Sequence, residues 1–391
     1  MNEAFDVIVS GAGPSGSRAA YLCARAGLST ALLERHPLPR DKCCAGGLLH
    51  RALVSLGEQG EGAPTQRTIR RLSIILAGRR HEWSVGQDLG RTVLRRDFDR
   101  FLAEGARRAG SALHQQVRLL ELRQEGGMVK ARTTQGDMSA KFLILAEGTA
   151  SGNASRVLGD YPEGGTLNGA SLLCLGDLGL SDSATFILPA RRKEMASFIA
   201  SGARICAAFP VKEGTILSTI SRASSAGLDG ALRQVAGLYG LEPVGRACAH
   251  PIPVAIRERL VSGRCLAVGD CAGLASPFSG EGLTPAIESA NLAAEAVISS
   301  VREGRHSLGL YEKAMRAKAE RDQTLARVTG GAVHLAVRGG WAGPLLAGLE
   351  RDPAFIEAFV AVATREEGSR RFLLRVLPRL PAALASGSGA R

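Results

Sequence analysis

The stretch DVIVSGAGPSGSRAAYLCARAGLSTALLER, from Asp6 to Arg35, decides the fold. It begins with a short apolar run that contains β-branched residues, which is typical of a buried parallel strand. A G-x-G-x-x-G turn follows, then a helical pattern that stops at Gly27, and then a second strand that ends at Glu34. This order predicts a strand–turn–helix–strand unit of a parallel α/β sheet.

Each glycine of the turn has its own function in such a unit. Gly11 permits the tight turn, Gly13 lets the backbone approach a pyrophosphate, and Gly16 lets the helix pack closely on the sheet. The free N–H groups of the first helical turn suit phosphate oxygens, and the carboxylate of Glu34 suits ribose hydroxyls. The segment therefore predicts a dinucleotide site. The other residues that we assign to this site are Ser17, Arg35 and Val117.

The composition limits the class of protein. The 391 residues suffice for two domains, and the net charge of +12 favours anionic partners. Nucleic acid is disfavoured, because no zinc-finger or recognition-helix pattern occurs and aromatic residues make up only 4%. No apolar run reaches the roughly 20 residues of a membrane span, and the N-terminus lacks the pattern of a signal peptide. We expect a cytoplasmic protein whose surface touches a membrane at most peripherally.

Two adjacent cysteines, Cys43 and Cys44, stand in the loop PRDKCCAGGLL, from Pro39 to Leu49. A structural disulfide is disfavoured in a reducing compartment. Zinc is disfavoured because no C-x-x-C pair occurs among the eight cysteines, so we expect no metal. Two interpretations stay open: a reactive thiol beside a cofactor, or a small packing residue.

A downstream stretch identifies the dinucleotide. RCLAVGDCAGLASPFSGEGLTPAIESANLAAEAV, from Arg264 to Val297, predicts a strand over 265–268 and a helix over 281–297. It resembles the second FAD motif of flavoproteins with the glutathione-reductase-like fold. The resemblance implies that Asp270 binds the ribityl chain of FAD. It also implies that the flavin is lined by Pro277, Gly280, Gly282 and Leu283.

Two shorter stretches resemble the para-hydroxybenzoate-hydroxylase-like flavoproteins. TVLRRDFDRFLAEGARRAG, from Thr92 to Gly110, is similar to their V-x-R-x-x-F-D-x-x-L stretch, which implies a flavin contact for Arg95. FLILAEGTAS is similar to their strand that ends in A-D-G, with Glu147 at the position of the aspartate. Both resemblances imply the same FAD-binding fold.

The cysteine loop resembles a narrower group, the geranylgeranyl reductase family. ERHPLPRDKCCAGGL is similar to its K-x-C-G-G-G-L loop, so that Cys44 takes the place of the family cysteine and Ala45 replaces the first glycine. Gly47 matches, and Cys44, Ala45 and Gly47 are expected to contact the cofactor. The resemblance implies reduction of isoprenoid C=C bonds by FAD, with NAD(P)H or another reductant as transient donor. Lys42 and Arg40 are expected to favour a thiolate in this loop, and Cys43 is expected to have no function.

The substrate pocket departs from the family pattern. The stretch ICAAFP, from Ile205 to Pro210, stands where the family has Y-x-W-x-F-P. Phe209 and Pro210 match, but Ile205 and Ala207 replace two large aromatics, which predicts a wider pocket for a hydrophobic small molecule or lipid. Two alternatives stay open: an FAD monooxygenase of aromatic or polyketide-like substrates, and a prenyl-binding escort protein without redox activity.

We therefore predict an α/β fold: a Rossmann-like FAD-binding domain with an antiparallel-sheet substrate lobe and a C-terminal helical region. The FAD-binding domain is assigned residues 1–65, 91–165 and 256–307, and the lobe is assigned 66–90 and 166–255. The helical region is 308–391, with a disordered tail at its end. Four arginines in it alternate with apolar residues, which suits either contact with an anionic bilayer or a capping helix with a solvated basic face. They are Arg370, Arg371, Arg375 and Arg379.

Overall fold

The computed structural model describes most of the chain. The described residues are 3–349, with gaps at 77, 85–86, 180, 189–195, 204, 223, 305–307 and 339–340, together with Asp352, Pro378 and Pro381. The four tail arginines lie outside the described residues, so their contact with a membrane stays a prediction. Within the described part, none of the helices combines the length and the apolar character that crossing a bilayer requires.

The described elements are nineteen strands, ten α-helices and one 3₁₀ turn, and several runs of strands follow one another without a helix between them. The strands are β1 (Glu3–Ser10), β2 (Thr30–Glu34), β3 (Gly47–Leu49), β4 (Arg67–Ile69), β5 (Arg71–Leu76), β6 (Arg79–Ser84), β7 (Gly90–Thr92), β8 (Ala112–Gln115), β9 (Leu119–Glu125), β10 (Met128–Thr133), β11 (Gly136–Leu145), β12 (Thr166–Leu175), β13 (Ser183–Leu188), β14 (Cys206–Val211), β15 (Gly214–Ser221), β16 (Glu242–Pro243), β17 (Cys248–Pro253), β18 (Val261–Ser262) and β19 (Cys265–Ala267). The helices are α1 (Pro14–Arg25), α2 (His50–Leu56), α3 (Glu58–Glu61), α4 (Arg95–Arg108), α5 (Gly152–Leu158), α6 (Ala196–Ala200), α7 (Leu228–Leu238), α8 (Leu283–Glu303), α9 (Gly309–Arg338) and α10 (Ala342–Leu349), with a 3₁₀ turn at Gly269–Ala272.

The first sheet carries the nucleotide unit. Its order is β18-β19-β11-β1-β2-β8, and β10 and β9 extend it from β11. Strands β1, β2, β8, β11 and β19 run parallel. Val7, Ile8 and Val9 of β1 are fully buried, as expected for a parallel strand that is covered on both faces. Because β1 has β2 on one side and β11 on the other, the loops after β1 and β11 border a crevice at the carboxyl edge of the sheet.

The second sheet has the order β16-β12-β15-β14-β13-β5-β6, and β17 also pairs with β12. In β14, Cys206 and Ala208 pack into a core with Leu232 of α7, whereas Ala207 and Phe209 face the opposite side. The pairs are antiparallel except β5 with β13, which run parallel. The predicted antiparallel sheet thus contains one parallel pair, because no hairpin connects these two distant segments and fixes their direction. A small third sheet has the order β3-β7-β4.

The helices after the second FAD motif close the crevice. Helix α8 starts at Leu283, two residues later than predicted, because the Glu281 carboxylate accepts a hydrogen bond from the Thr284 N–H at 2.7 Å and so caps the helix. It ends at Gly304, whose φ of 65° lies in the left-handed region. Helix α9 is tied to the first sheet, since the Gln323 amide donates to the Gly273 carbonyl at 2.7 Å.

Candidate functional site

A single cavity of about 1030 Å³ connects the two large sheets. Its first end lies at the glycine turn after β1 and at Glu34 of β2. Its middle lies between the cysteine loop and Asp270, and its far end lies against β14 of the second sheet. The cavity therefore extends from the predicted dinucleotide site to the predicted substrate lobe.

The three glycines of the turn differ in what a side chain would meet. A Cβ on Gly11 (φ +107°) would lie 2.4 Å from the Ala146 carbonyl oxygen, and a Cβ on Gly16 would lie 1.8 Å from the Gly11 carbonyl oxygen. A Cβ on Gly13 would meet only the Arg40 guanidinium, at 3.9 Å, and would otherwise project into the cavity. Gly11 and Gly16 thus permit close backbone packing, whereas Gly13 leaves room for a ligand.

A buried ionic network stands beside this turn. Glu34 Oε2 accepts hydrogen bonds from the Ala12 N–H at 3.2 Å and from Arg40 at 3.1 Å. Arg40 also donates to Asp99 at 3.0 Å, and Arg95 donates to both oxygens of Asp99 at 2.8 Å. Burial alone would lower the pKa of Arg95, but the charge and hydrogen bonds of Asp99, helped by Cys44, raise it. Arg95 is therefore a permanent cation in the cavity wall.

Asp270 lies at the middle of the cavity, in the 3₁₀ turn after β19. Its Oδ2 accepts a hydrogen bond from Lys42 at 3.3 Å. A Cβ on Gly282 would lie 3.2 Å from Asp270 Oδ1, so this glycine keeps the carboxylate open to the cavity. Lys42 and Arg40 both pair with carboxylates rather than with Cys44, which differs from the expected role of these two cations.

The cysteine loop passes between helix α4 and the second sheet. Cys44 accepts a hydrogen bond from the Gly46 N–H at 3.4 Å, and its side chain lies close enough to Arg95 to raise the pKa of that guanidinium. A Cβ on Gly46 (φ +76°) would lie 2.2 Å from the Val93 carbonyl oxygen, and a Cβ on Gly47 would lie 2.9 Å from the Phe209 ring. The two glycines thus let the loop pass close to β7 and β14, with Cys44 facing the cavity.

Most of the predicted site residues surround this one cavity. Four do not line it, for local reasons. Gly16 packs against the turn, and the Ser17 hydroxyl is fully buried and donates to the Ala12 carbonyl at 3.2 Å. The Pro210 carbonyl accepts from the Thr92 hydroxyl at 2.7 Å, and Pro277 lies beside the lining residues Ser276 and Phe278. The lining residues are Gly11, Gly13, Glu34, Arg35, Cys44, Ala45, Gly47, Arg95, Val117, Ile205, Ala207, Phe209, Asp270, Gly280, Gly282 and Leu283.

The sequence interpretation missed His250 and Cys248, which also line the cavity. Both lie on β17, from which residues 248, 249, 250 and 252 line the cavity, and the period-two pattern of HPIPV was the available signal for this strand. The buried Nε2 of His250 has no hydrogen-bond partner among the described residues. An unpaired buried imidazole nitrogen indicates a ligand contact at this point.

We expect His250 to make the protein acid-sensitive. Burial, followed by the nearby Lys42 charge, lowers its pKa below the ordinary 6.5. Between the lowered value and 6.5, the unfolded chain binds the proton more tightly, so the free energy of unfolding falls as pH decreases through this window. His250→Gln should flatten this part of the stability–pH curve, as measured by urea unfolding from neutral to mildly acidic pH. Parallel curves for the two proteins would refute this assignment.

The arrangement fits FAD. Gly13 leaves the free space that a pyrophosphate needs, Glu34 and Asp270 are carboxylates suited to ribose and ribityl hydroxyls, and the His250 nitrogen lacks a partner. In the described residues, no group of three or more His, Cys, Asp or Glu side chains is placed to hold a metal ion.

Comparison with known proteins agrees with this geometry. A family profile described as an FAD binding domain matches residues 4–325. The chain is 27% identical over 322 residues to menaquinone reductase of Mycobacterium tuberculosis, covering 75% of this chain and 77% of the relative. It is 26% identical over 357 residues to digeranylgeranylglycerophospholipid reductase of Methanosphaerula palustris, covering 82% and 83%.

The fold is likewise similar to that of a solved protein. A geranylgeranyl bacteriochlorophyll reductase-like protein from Thermoplasma acidophilum superposes with a TM-score of 0.77 at 20% identity, covering 98% of each chain. This likeness confirms the predicted fold class, and the profile match confirms the predicted cofactor class. The chain belongs to the FAD-binding-domain family and is an FAD-dependent oxidoreductase.

Proposed function

We propose that this protein reduces C=C bonds in the isoprenoid part of a hydrophobic lipid, with NAD(P)H or another reductant as electron donor. The observation that carries the proposal is the continuity of the cavity from Gly13 through Cys44 to the apolar face of the second sheet. Two relatives that match most of the chain are reductases whose names specify a prenylated quinone or a prenylated lipid, which supports the same substrate class.

The far end of the cavity suits an isoprenoid chain. The side chains that line it along the second sheet are mostly apolar. Ala207 and Ile205 leave more space there than large aromatic side chains would, so a branched, bulky chain can enter. An apolar wall favours such a chain through the hydrophobic effect. The lining residues at this end include Ile69, Leu72, Phe186, Ile205, Ala207, Phe209, Ile220 and Ile252.

The chain's own residues supply positioning and protons. Bound FAD supplies two-electron reduction chemistry. Phe209 supports the cysteine loop from the substrate side, because its ring lies against Gly47. Cys44, beside the buried cation of Arg95, is the candidate proton donor. His250, held neutral by burial and by neighbouring cations, is available as a hydrogen-bond partner at the middle of the cavity.

The substrate class is tested by product mass. The protein is reduced anaerobically by light and mixed with either a menaquinone or a digeranylgeranyl lipid, and the extracted lipid is examined by mass spectrometry. After air has reoxidised any quinol, which alone would add two hydrogens to the quinone, we expect a gain of two hydrogens per saturated bond in at least one of the two lipids. Recovery of both lipids unchanged, with a flavin that stays reduced, would contradict it.

The function of Cys44 is tested by separating the two half-reactions. We expect Cys44→Ser and Cys44→Ala to slow C=C reduction by at least about 100-fold, which is the usual contribution of a general acid. Reduction of the flavin by the electron donor should be nearly unchanged, since it does not use this proton. Both rates can be followed by stopped-flow absorbance. If Cys44→Ala retains the wild-type rate of substrate reduction, Cys44 is a packing residue.

We further propose that the basic tail binds anionic lipid. The interleaved arginines and apolar residues of 370–379 support this from the sequence alone. Binding to vesicles that contain phosphatidylserine should weaken with salt, because charges are screened within about 10 Å at about 0.1 M. Removal of residues 368–391 should abolish binding in a sedimentation assay. Equal binding by the truncated protein would contradict lipid binding by the tail and would favour a capping helix with a solvated basic face.

A further inference from the structure

One thiol of the cysteine loop and one thiol of the second sheet meet at the wall of the cavity. Cys43 lies in the loop between β2 and β3, and Cys248 is the first residue of β17 in the second sheet. The Cys43 thiol donates to the Cys248 carbonyl oxygen at 3.0 Å, so the two cysteines lie next to each other at the cavity wall. Cys43 is half-buried and Cys248 is exposed, so both are accessible to small molecules.

We infer that Cys43 and Cys248 form a redox-active dithiol that closes to a disulfide between the cysteine loop and the second sheet. The oxidant is a low-molecular-weight disulfide. A thiolate of the pair attacks one of its sulfur atoms, forms a mixed disulfide and releases one small thiol. The second protein thiol then displaces the other small thiol. In total, two protein thiols and one small disulfide give one protein disulfide and two small thiols, so electrons and protons balance.

The pair has a defined order of reaction. Interaction with Cys43 lowers the pKa of the Cys248 thiol, and interaction with Cys248, together with burial, raises the pKa of Cys43. Because Cys248 is exposed and Cys43 is half-buried, a small disulfide reaches Cys248 first, and Cys43 then completes the protein disulfide. The Cys248 thiol otherwise contacts the Ser171 carbonyl oxygen at 3.4 Å, which holds it beside the loop.

The other cysteines do not compete for this reaction. Cys23, Cys206, Cys265 and Cys271 are buried, and burial raises the pKa of each thiol to about 12. Cys174 is also buried, and burial raises the pKa of its thiol. Cys44 faces the cavity on the other side of the loop, beside Arg95. Thiols that pair in reducing compartments usually do so transiently, in catalysis or redox sensing, which is the use inferred for this pair.

Formation of the Cys43–Cys248 disulfide would make access to the cavity depend on the redox state of these two thiols. The disulfide would fix the loop that carries Lys42 and Cys44 to strand β17, one residue from the ion pair of Lys42 with Asp270. A large ligand that needs this loop to move would then exchange more slowly. The reactions of this dithiol involve thiol chemistry only, so their test does not depend on the proposed C=C reduction.

The experiment uses the full-length protein as purified, incubated with glutathione disulfide and analysed by intact mass and peptide mapping. We expect most of the protein to lose two hydrogens and to yield a Cys43–Cys248 cross-linked peptide. The cross-link should persist in Cys44→Ala and be absent in Cys43→Ala and Cys248→Ala. A cross-link that uses Cys44, or glutathione retained on separate thiols without a cross-link, would overturn the inference.

A second measurement does not depend on disulfide formation. Alkylation of Cys248 by iodoacetamide at neutral pH should become several-fold slower in Cys43→Ala, because the variant lacks the thiol whose interaction lowers the pKa of Cys248. Peptide mass spectrometry assigns the modified residue, and circular dichroism confirms that the variant is folded. Equal alkylation rates at Cys248 in the two proteins would show that the thiols are not coupled, which would also overturn the inference.

Discussion

Gly13→Val is expected to give a folded protein that purifies without flavin. The backbone at Gly13 has φ −76° and ψ −175°, which valine adopts without strain. Among the described residues, and apart from the chain neighbours of Gly13, only the Arg40 guanidinium lies within 4 Å of the added Cβ. The valine side chain would instead occupy the space that we assign to the pyrophosphate. Loss of the flavin absorbance, with an unchanged circular dichroism spectrum, is the expected result.

A matched control is available in helix α7. Gly237 has open space around its Cβ position, and it is exposed, far from the cavity lining. Gly237→Val should therefore retain the wild-type flavin content, since valine is tolerated in a helix at least as well as glycine. Flavin retained at the wild-type level in Gly13→Val would mean that the glycine turn does not hold the cofactor.

Asp99→Ala is expected to cause the largest loss of stability. Asp99 is fully buried and neutralises Arg95, which is itself buried, as well as Arg40. Removing the carboxylate leaves a buried guanidinium without its counter-charge, and breaking such a pair usually costs about 3–5 kcal/mol. The free energy of unfolding can be measured by urea denaturation of the purified protein.

Asp97→Ala is the control for this variant, since Asp97 lies in the same helical turn but is only half-buried. Its loss should cost less than about 1 kcal/mol through the helix dipole. If both variants lose equal stability, the network of Arg95, Asp99 and Arg40 contributes no more than a surface charge would.

The sequence was sufficient for the fold because the decisive contacts are local. The glycine turn, its two strands and the connecting helix lie within Glu3 to Glu34. Gly11 and Gly16 meet the neighbouring backbone closely, whereas Gly13 leaves the cavity open, as the motif requires. The limits of α8 were less predictable. Its start depends on the Glu281 cap, and its end depends on the left-handed conformation of Gly304, neither of which hydrophobic periodicity reports.

The site was less predictable because its contacts are long-range. Cys248 and His250 reach the cysteine loop only through the pairing of β17 with β12, which places residues 205 apart in sequence within hydrogen-bonding distance. Lys42 and Arg40 were correctly placed near the loop, but their carboxylate partners come from three separate segments. Sequence spacing does not identify such partners, so we expected the charges of Lys42 and Arg40 to act on Cys44 instead.

The most direct test of the proposed function is the choice of electron acceptor. The protein is reduced anaerobically, and reoxidation of the flavin is followed by absorbance after addition of a prenylated lipid without oxygen, or of oxygen without lipid. We expect the lipid to reoxidise the flavin rapidly in the absence of oxygen and to give a saturated product. Reoxidation only when oxygen is present, with a hydroxylated product, would instead identify a monooxygenase, and lipid binding without any reoxidation would identify an escort protein.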